Sequence, residues 1–251
     1  MSSFAAAQEV YAAGLIFARI GALLMLIPGY GEAVIPPRIR LAFALSFTLL
    51  MLPILSPAMP PVPGTVGGLA GGVIKELLVG LMVGGILRMF LSSLATAGEI
   101  VSLQTTLSFA QTAAPGQAQP STSLSTFLGL MGIVLIMTTD LHHMFLGAVV
   151  KSYTVFPVTR DIPLADGAAL AVQTLGRSFA LGLQLAAPVV AFALIFNIAA
   201  GLVGRAMPQF QVFFVATPLM LLLGLSLFAL TLGAAGMVWV DRYRDLISRF
   251  A

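Results

Sequence analysis

The chain has 251 residues, of which 59% are hydrophobic and only 8% are charged, whereas about a quarter of the residues of a soluble domain are charged. Its 12 basic and 9 acidic residues give a net charge of +3, too thinly spread for a nucleic-acid surface. Cysteine is absent, which excludes disulfides, thiolate metal sites and cysteine nucleophiles. The composition predicts one integral membrane unit over residues 1–251, without a separate soluble domain.

The first half of the chain alternates apolar segments with breaks rich in proline and glycine. Because lipid-exposed backbone must satisfy its hydrogen bonds internally, we predict that these segments are helices. A helix should not continue through Pro28-Gly29 or through Pro36-Pro37. No basic region and no clear cleavage site accompany the first segment, so we expect it to be retained rather than removed as a signal peptide. The predicted helices are about Val10–Ile27, Leu41–Leu55 and Leu69–Leu103.

The second half predicts three further apolar helices, which makes about six long segments in all. The fourth segment is interrupted by Asp140, His142 and His143, and a polar connection over residues 151–167 follows it. The resulting fold class is all-α, a polytopic helical membrane protein with its segments arranged as hairpins. The predicted helices of this half are about Leu124–Val150, Ala168–Gly204 and Val212–Val240.

Several predicted helices carry charged residues, which are costly in lipid and usually face protein or water. Arg19, Arg88 and Arg177 lack enough partners of opposite sign within the apolar segments. We therefore expect the chain to depend on partner subunits for its stability.

Small residues recur at four-residue spacing in the third segment. Gly80 and Gly84 belong to this series, and Glu76 and Arg88 share it, so all four follow one slowly winding ridge. Such a ridge lets a neighbouring helix approach closely. Two interpretations stay open: ordinary helix packing, or a groove between subunits in which Glu76 and Arg88 pair with residues of another chain.

Between the third and fourth segments lies a small, polar and entirely uncharged stretch, Gln104–Ser123. An aqueous loop of this length would normally carry Lys, Glu or Asp. Long loops without regular structure are usually functional or disordered. The composition favours a segment that sits against protein or inside a narrow passage.

Metal-binding and catalytic signatures are weak or missing. Asp140, His142 and His143 invite a metal site, but adjacent helical residues point about 100° apart, so both imidazoles should not reach one ion. Too few further ligands lie nearby to complete a zinc site. The sequence also lacks a metalloprotease motif, a serine nucleophile elbow and a phosphate-binding loop. We therefore predict a protein that is not an enzyme and has no metal or cofactor.

The last third contains the most specific pattern. Pro188 and Asn197 lie inside apolar helix, and Gly-x-x-x-Arg-x-x-Pro-Gln follows, ending with Arg205, Pro208 and Gln209. This pattern resembles the FliR family of flagellar and type III export-gate membrane proteins. Further features that are similar to the family occur in order along almost the whole chain. Among them are Pro36-Pro37 with Arg38 and Arg40, Lys75-Glu76 before Gly80 and Gly84, Glu99 before Gln104, and His142-His143.

The resemblance implies a non-enzymatic subunit of a flagellar protein export gate in the bacterial inner membrane, within the flagellar basal body. Its partners would be FliP-like and FliQ-like subunits, FlhA-like and FlhB-like export proteins, and, transiently, unfolded exported polypeptides. The uncharged stretch would plug the pore, with Gln104, Thr105, Thr106, Leu107, Ser108, Phe109, Pro115 and Gly116. Assembly would involve Glu76, Gly80, Gly84, Arg88, Glu99, Asn197, Arg205, Pro208 and Gln209.

Other functions remain open from the residues. The same subunit could serve a virulence type III secretion system, although the His-His pair favours the flagellar branch. A secondary transporter or small-molecule channel would use Pro188 and Asn197 as a broken helix lining its substrate site. Transporters often show matching halves, and residues 1–125 and 126–251 show no convincing repeat.

Overall fold

The computed structural model describes residues 2–108, 122–160, 164–209, 211–248 and 250. These residues are mostly helical, and no strand occurs within the described ranges. A short 3₁₀ turn at Ser56–Ala58 follows the second long helix. In chain order the long helices are α1 (Ser2–Leu26), α2 (Pro37–Leu55), α3 (Val66–Gln104), α4 (Ser123–Thr138), α5 (Leu141–Val155), α6 (Leu164–Ala206) and α7 (Val212–Ile247).

Most of these helices are long and apolar enough to cross a membrane. Five pass by themselves, and α4 and α5 together form a sixth, broken candidate. The prediction of an all-α polytopic membrane protein with about six apolar segments is therefore confirmed. The five single candidates are Ala6–Leu26, Pro37–Ala58, Val66–Gln104, Ala165–Ala206 and Val212–Ile247.

Proline marks the start of α2 rather than only a break. Pro36 is the residue before the helix and Pro37 occupies its first turn, where a missing N–H costs nothing. The helix thus begins four residues before the predicted start at Leu41. Pro53, Pro188 and Pro218 lie inside α2, α6 and α7.

The predicted fourth segment is wrong as a single helix. The chain bends by 77° between α4 and α5. Asp140 adopts a left-handed conformation with φ of +58°, which a continuous right-handed helix cannot include. The predicted polar connection is also too long, because α5 continues to Val155 and α6 already begins at Leu164.

The chain divides into two compact units. The first comprises Met1–Phe90, Ile136–Leu175 and Tyr243–Ala251, and the second comprises Leu91–Leu135 and Gly176–Arg242. Apolar side chains on α1 form the centre of the first unit, since Leu15, Ile16, Ile20 and Leu23 are completely buried. In the second unit the buried Trp239 donates its indole N–H to Ser93 Oγ at 3.0 Å. The single export-gate domain over residues 1–251 stays a prediction.

Candidate functional site

A buried ion pair joins α1 to α3. Arg19 donates from Nε to Glu76 Oε2 at 2.7 Å and from Nη2 to Oε1 at 3.0 Å, and both side chains are completely buried. The remaining guanidinium donors reach the carbonyl oxygens of Ser152 and Phe156 at 2.9 and 2.8 Å. The Arg19 guanidinium also lies 4.1 Å from the centre of the Tyr153 ring. Arg19 is therefore not an unpaired charge, which corrects the expectation from sequence.

Glycines of the third segment face α1 of the same chain. A Cβ atom on Gly80 would lie 2.6 Å from the carbonyl oxygen of Arg19, and one on Gly84 would lie 2.9 Å from Leu26 Cβ. The ridge of small residues thus brings two helices of the first unit together. Of the two interpretations left open by the sequence, the geometry supports ordinary packing within the chain.

Arg88 also has a partner within the chain. Its Nη1 atom donates to Glu32 Oε1 at 3.1 Å, and both side chains stay partly exposed. This corrects the interpretation in which Glu76 and Arg88 pair with residues of another subunit. Arg177 is different, because it is exposed and has no ion pair within the described part of the chain.

The two ends of the uncharged stretch are held together by hydrogen bonds on α3. Thr122 precedes α4, donates its backbone N–H to Glu99 Oε1 at 2.9 Å and accepts the Ser102 hydroxyl at 3.0 Å. The same Thr122 hydroxyl accepts the N–H of Ser125 at 3.2 Å and so caps α4. A Cβ on Gly98 would lie 2.4 Å from Ser125 Cα, so the two helix backbones are in close approach. We call Gly98, Glu99, Ser102, Thr122 and Ser125 the loop base.

Thr105 and Thr106 turn the chain out of α3. Thr105 is completely buried, and its hydroxyl donates to the carbonyl oxygen of Val101 at 2.8 Å. Its methyl carbon lies 2.7 Å from the Cβ position of Gly224 on α7, where a larger residue would not fit. Thr106 has a φ of +62°, an unusual conformation for a β-branched residue.

The predicted plug is only partly described. Gln104 ends α3, and Leu107 and Ser108 continue beyond Thr106, each of the three half-buried. Phe109, Pro115 and Gly116 lie outside the described residues. The plug role therefore stays a prediction, while the loop base is a structural fact.

The most specific sequence pattern lies on the surface between α6 and α7. Asn197 is exposed on α6, and Arg205 is exposed in its last turn. Pro208 and Gln209 are exposed in the short connection that follows. No hydrogen bond holds these four side chains to the part of the chain that the structure describes, so they are available to another molecule.

Asp140, His142 and His143 are closer together than the sequence suggested. One potential ligand atom from each residue lies within 4.8 Å of the others. The expectation that the two imidazoles cannot approach one point is therefore wrong, because the side chains of neighbouring helical residues turn towards each other here. The His142 and His143 rings are 4.1 Å apart and tilted by 38°. The absence of a metal ion from this site stays a prediction.

Sequence reasoning missed the partners that complete these contacts. Ser152 and Phe156 contribute backbone carbonyls, which carry no sequence signal. Thr122 could have been found from the sequence, since a threonine just before an apolar run is typical of a helix N-terminus. Glu99 was predicted to act in assembly; its contact in the structure is with Thr122 of the same chain, and the assembly role stays a prediction.

Long apolar faces remain uncovered on three helices. In the most apolar stretch of each, only 17% is buried in α2, α6 and α7, against 50% in α1 and 56% in α3. The exposed side chains include Leu49, Phe179, Leu194, Ile195, Leu222 and Leu230. Faces of this kind fit lipid or neighbouring subunits.

Comparisons with known proteins identify the family of this chain. The sequence profile of "Bacterial export proteins, family 1" matches residues 10–246. The chain is 57% identical to the flagellar biosynthetic protein FliR of Caulobacter vibrioides over 250 residues, which cover 100% of both chains. It is 31% identical to FliR of Aquifex aeolicus over 94% of this chain and 91% of that one. Its identity to FliR of Escherichia coli is 30%, over 84% and 80% of the two chains.

Proposed function

Since this chain belongs to the bacterial export proteins of family 1, together with FliR proteins of flagellar biosynthesis, we propose that it is a non-enzymatic subunit of the flagellar protein export gate. The proposed location is the bacterial inner membrane, within the flagellar basal body. The full-length similarity to a FliR protein is the observation that carries this proposal. The proposed partners are FliP-like, FliQ-like, FlhA-like and FlhB-like proteins.

Partner binding is supported by what the chain leaves exposed. Arg205 offers five N–H donors from the end of α6, and none is used by the described residues. The apolar faces of α6 and α7 lie on either side of this connection in the sequence. A neighbouring helix end, with its free carbonyl groups, is the chemistry that fits Arg205.

We further propose that the stretch after the loop base seals the pore at rest. A stopper for diverse unfolded chains should lack charges that would hold passing segments, and Gln104–Ser123 has none. The loop base supports this role, because it fixes both ends of the stretch on one part of α3. The strained Thr106 is a further sign of a functional turn.

Complementation tests the general function. A motile bacterium lacking its own FliR protein should regain swimming and secretion of flagellar subunits when it produces this chain in the membrane. Affinity purification of the chain from those cells should recover FliP-like and FliQ-like proteins. Secretion that stays absent despite normal amounts of the chain and of its partners would contradict the proposal.

Permeability tests the plug. Deleting Ala110–Gln119 should make the membrane leak ions while the complex still assembles. A matched variant replaces the same ten positions by Gly and Ser, which keeps the length but removes the apolar side chains. Unchanged permeability in both variants, with assembly verified by co-purification, would contradict the sealing role.

A further inference from the structure

The end of α1 and the start of α2 enclose a cavity of about 200 Å³ that the proposed function does not use. Its walls are almost entirely apolar, and the Tyr30 ring stacks on Phe43 with 5.3 Å between ring centres. An apolar cavity of ~150 Å³ already admits a molecule the size of benzene. The lining residues are Leu24, Tyr30, Ile35, Ile39, Arg40 and Phe43.

One positive charge lines this cavity without an anionic partner. The Nε atom of Arg40 is buried and makes no hydrogen bond within the described residues, and its Nη1 meets only Met25 Sδ at 3.8 Å. Glu32 is the one acidic residue between Val10 and Lys75 in the sequence, and it is engaged with Arg88. The Nη1 side of the guanidinium is exposed, so a negatively charged group from outside the described residues can approach it there.

The surroundings of Arg40 favour an anion as well. Arg40 lies in the first turn of α2, where the helix dipole attracts negative charge, and this turn has no acidic residue. The Tyr30 phenol is neutral at physiological pH, and burial raises its pKa further, so this wall of the cavity carries no negative charge. No negative group on the cavity wall would therefore repel an anionic ligand.

The position along the chain indicates a lipid. The cavity lies where α1 ends and α2 begins, and both helices are candidates to cross the membrane. The connection between two helices that cross a membrane lies at the membrane–water interface, where tyrosine and basic residues meet lipid headgroups. An apolar cavity next to a cation matches a molecule with an acyl chain and a phosphate.

We propose that this cavity binds one anionic phospholipid, with its phosphate on the Arg40 guanidinium and an acyl chain against Leu24, Ile35 and Phe43. Lipid bound there would give the exposed Nη1 side of the Arg40 guanidinium an anionic partner and would fix the connection between α1 and α2. A carboxylate on a partner subunit is the competing source of negative charge.

Native mass spectrometry of the purified export complex tests this proposal. The complex is delipidated and titrated with phosphatidylglycerol, with phosphatidylcholine of the same acyl chains, and with inorganic phosphate. The decisive comparison is Arg40→Gln against Arg38→Gln. Both remove one positive charge from the same helix turn, but only Arg40 lines the cavity. A third variant, Ile35→Phe, fills the apolar part and keeps the charge.

We expect one phosphatidylglycerol per chain, bound roughly tenfold more tightly than phosphatidylcholine, and a loss of about tenfold or more in Arg40→Gln. Arg38→Gln should bind nearly as the unaltered chain, and Ile35→Phe should weaken binding without abolishing the preference for the anionic lipid. Inorganic phosphate alone should not compete. Equal binding in Arg40→Gln and Arg38→Gln would overturn the proposal. Absence of lipid, with a crosslinker at position 35 capturing another subunit, would overturn it in favour of a protein partner.

Discussion

At the scale of single residues, the Arg19–Glu76 pair shows why intramembrane charges need not point to another chain. Both carboxylate oxygens of Glu76 accept from Arg19, and carbonyls of Ser152 and Phe156 take the other donors. Charges in such a site are tolerated because each guanidinium nitrogen of Arg19 donates to an acceptor. The pair ties together residues from α1, α3 and the end of α5.

Removing one member of this pair should destabilise the protein strongly. Glu76→Gln leaves the buried Arg19 without its counter-charge, at a cost of about 3–5 kcal/mol. We expect the melting temperature of the purified complex to fall by roughly 10 °C. Glu32→Gln is the matched control, since its partner Arg88 is partly exposed and the cost there is about 0–1 kcal/mol. Equal shifts for the two variants would contradict the structural role of the buried pair.

Two glycines on α3 provide a similar comparison. Gly80→Ala places a methyl group 2.6 Å from the Arg19 carbonyl oxygen and should destabilise by about 1–3 kcal/mol. Gly85→Ala meets no atom within 4 Å and should stabilise the helix by up to about 1 kcal/mol. Thermal melting of both variants measures the difference. If Gly80→Ala proves as stable as Gly85→Ala, the close approach of α1 and α3 is not as described.

At the scale of elements, the loop base is where packing and the proposed function meet. Gly98 lets α3 and α4 approach, and Thr122 receives bonds from both sides. The predicted plug thus begins and returns on one stretch of α3. Movement of the stretch during export would have to begin by changing these few contacts.

Glu99 should determine how stably Thr122, at the end of the uncharged stretch, is bound to α3. Glu99→Ala removes the acceptor for the Thr122 N–H, worth about 1 kcal/mol, and we expect increased ion leakage from cells with assembled complexes. Glu99→Gln keeps an oxygen at the same position and should behave like the unaltered chain. Leakage is measured from the loss of membrane potential. A tight membrane in Glu99→Ala would separate the loop base from sealing.

The connection between α6 and α7 should act in assembly. Arg205→Ala removes exposed donors that have no partner within the described residues, so the chain should stay folded while recovery of FliP-like and FliQ-like proteins falls. Arg242→Ala is the control, since it removes an exposed arginine from α7 outside this connection. Quantitative co-purification measures how much FliP-like and FliQ-like protein each of the two variants recovers. Normal recovery with an altered choice of exported proteins would contradict an assembly role.

At the scale of the whole molecule, the exposed apolar faces of α2, α6 and α7 are the main reason to expect that the chain depends on partner subunits for its stability. The original reason was unpaired arginines, but Arg19 and Arg88 have partners within the chain. The reasons that remain are the exposed Arg177 and the exposed apolar faces of these helices. An exposed charge among large apolar side chains is costly in lipid and is better covered by protein.

Expression without partners tests this dependence. The chain produced alone should give low yields and aggregate in mild detergent, whereas co-expression with FliP-like and FliQ-like proteins should give a stable, uniform particle. Size-exclusion chromatography over several days measures the difference. A uniform monomer that persists alone in detergent would show that lipid or detergent covers these faces adequately.

The sequence by itself determined the all-α membrane fold, the approximate helices and the family. These follow from composition, from long apolar runs and from the pattern ending in Arg205, Pro208 and Gln209, all of which are local properties of the chain. Proline and glycine located most breaks for the same reason, since each acts on its own backbone.

Only the tertiary structure decided which charges are paired and where the fourth segment bends. Arg19 and Glu76 are 57 residues apart, and the acceptors at Ser152 and Phe156 are backbone atoms that no residue pattern reveals. The bend depends on the left-handed conformation of Asp140. Most aspartate residues do not adopt this conformation, so the residue type alone does not predict the bend. Pairing across long separations depends on how helices pack, and packing is a property of the whole set of neighbours rather than of any one segment.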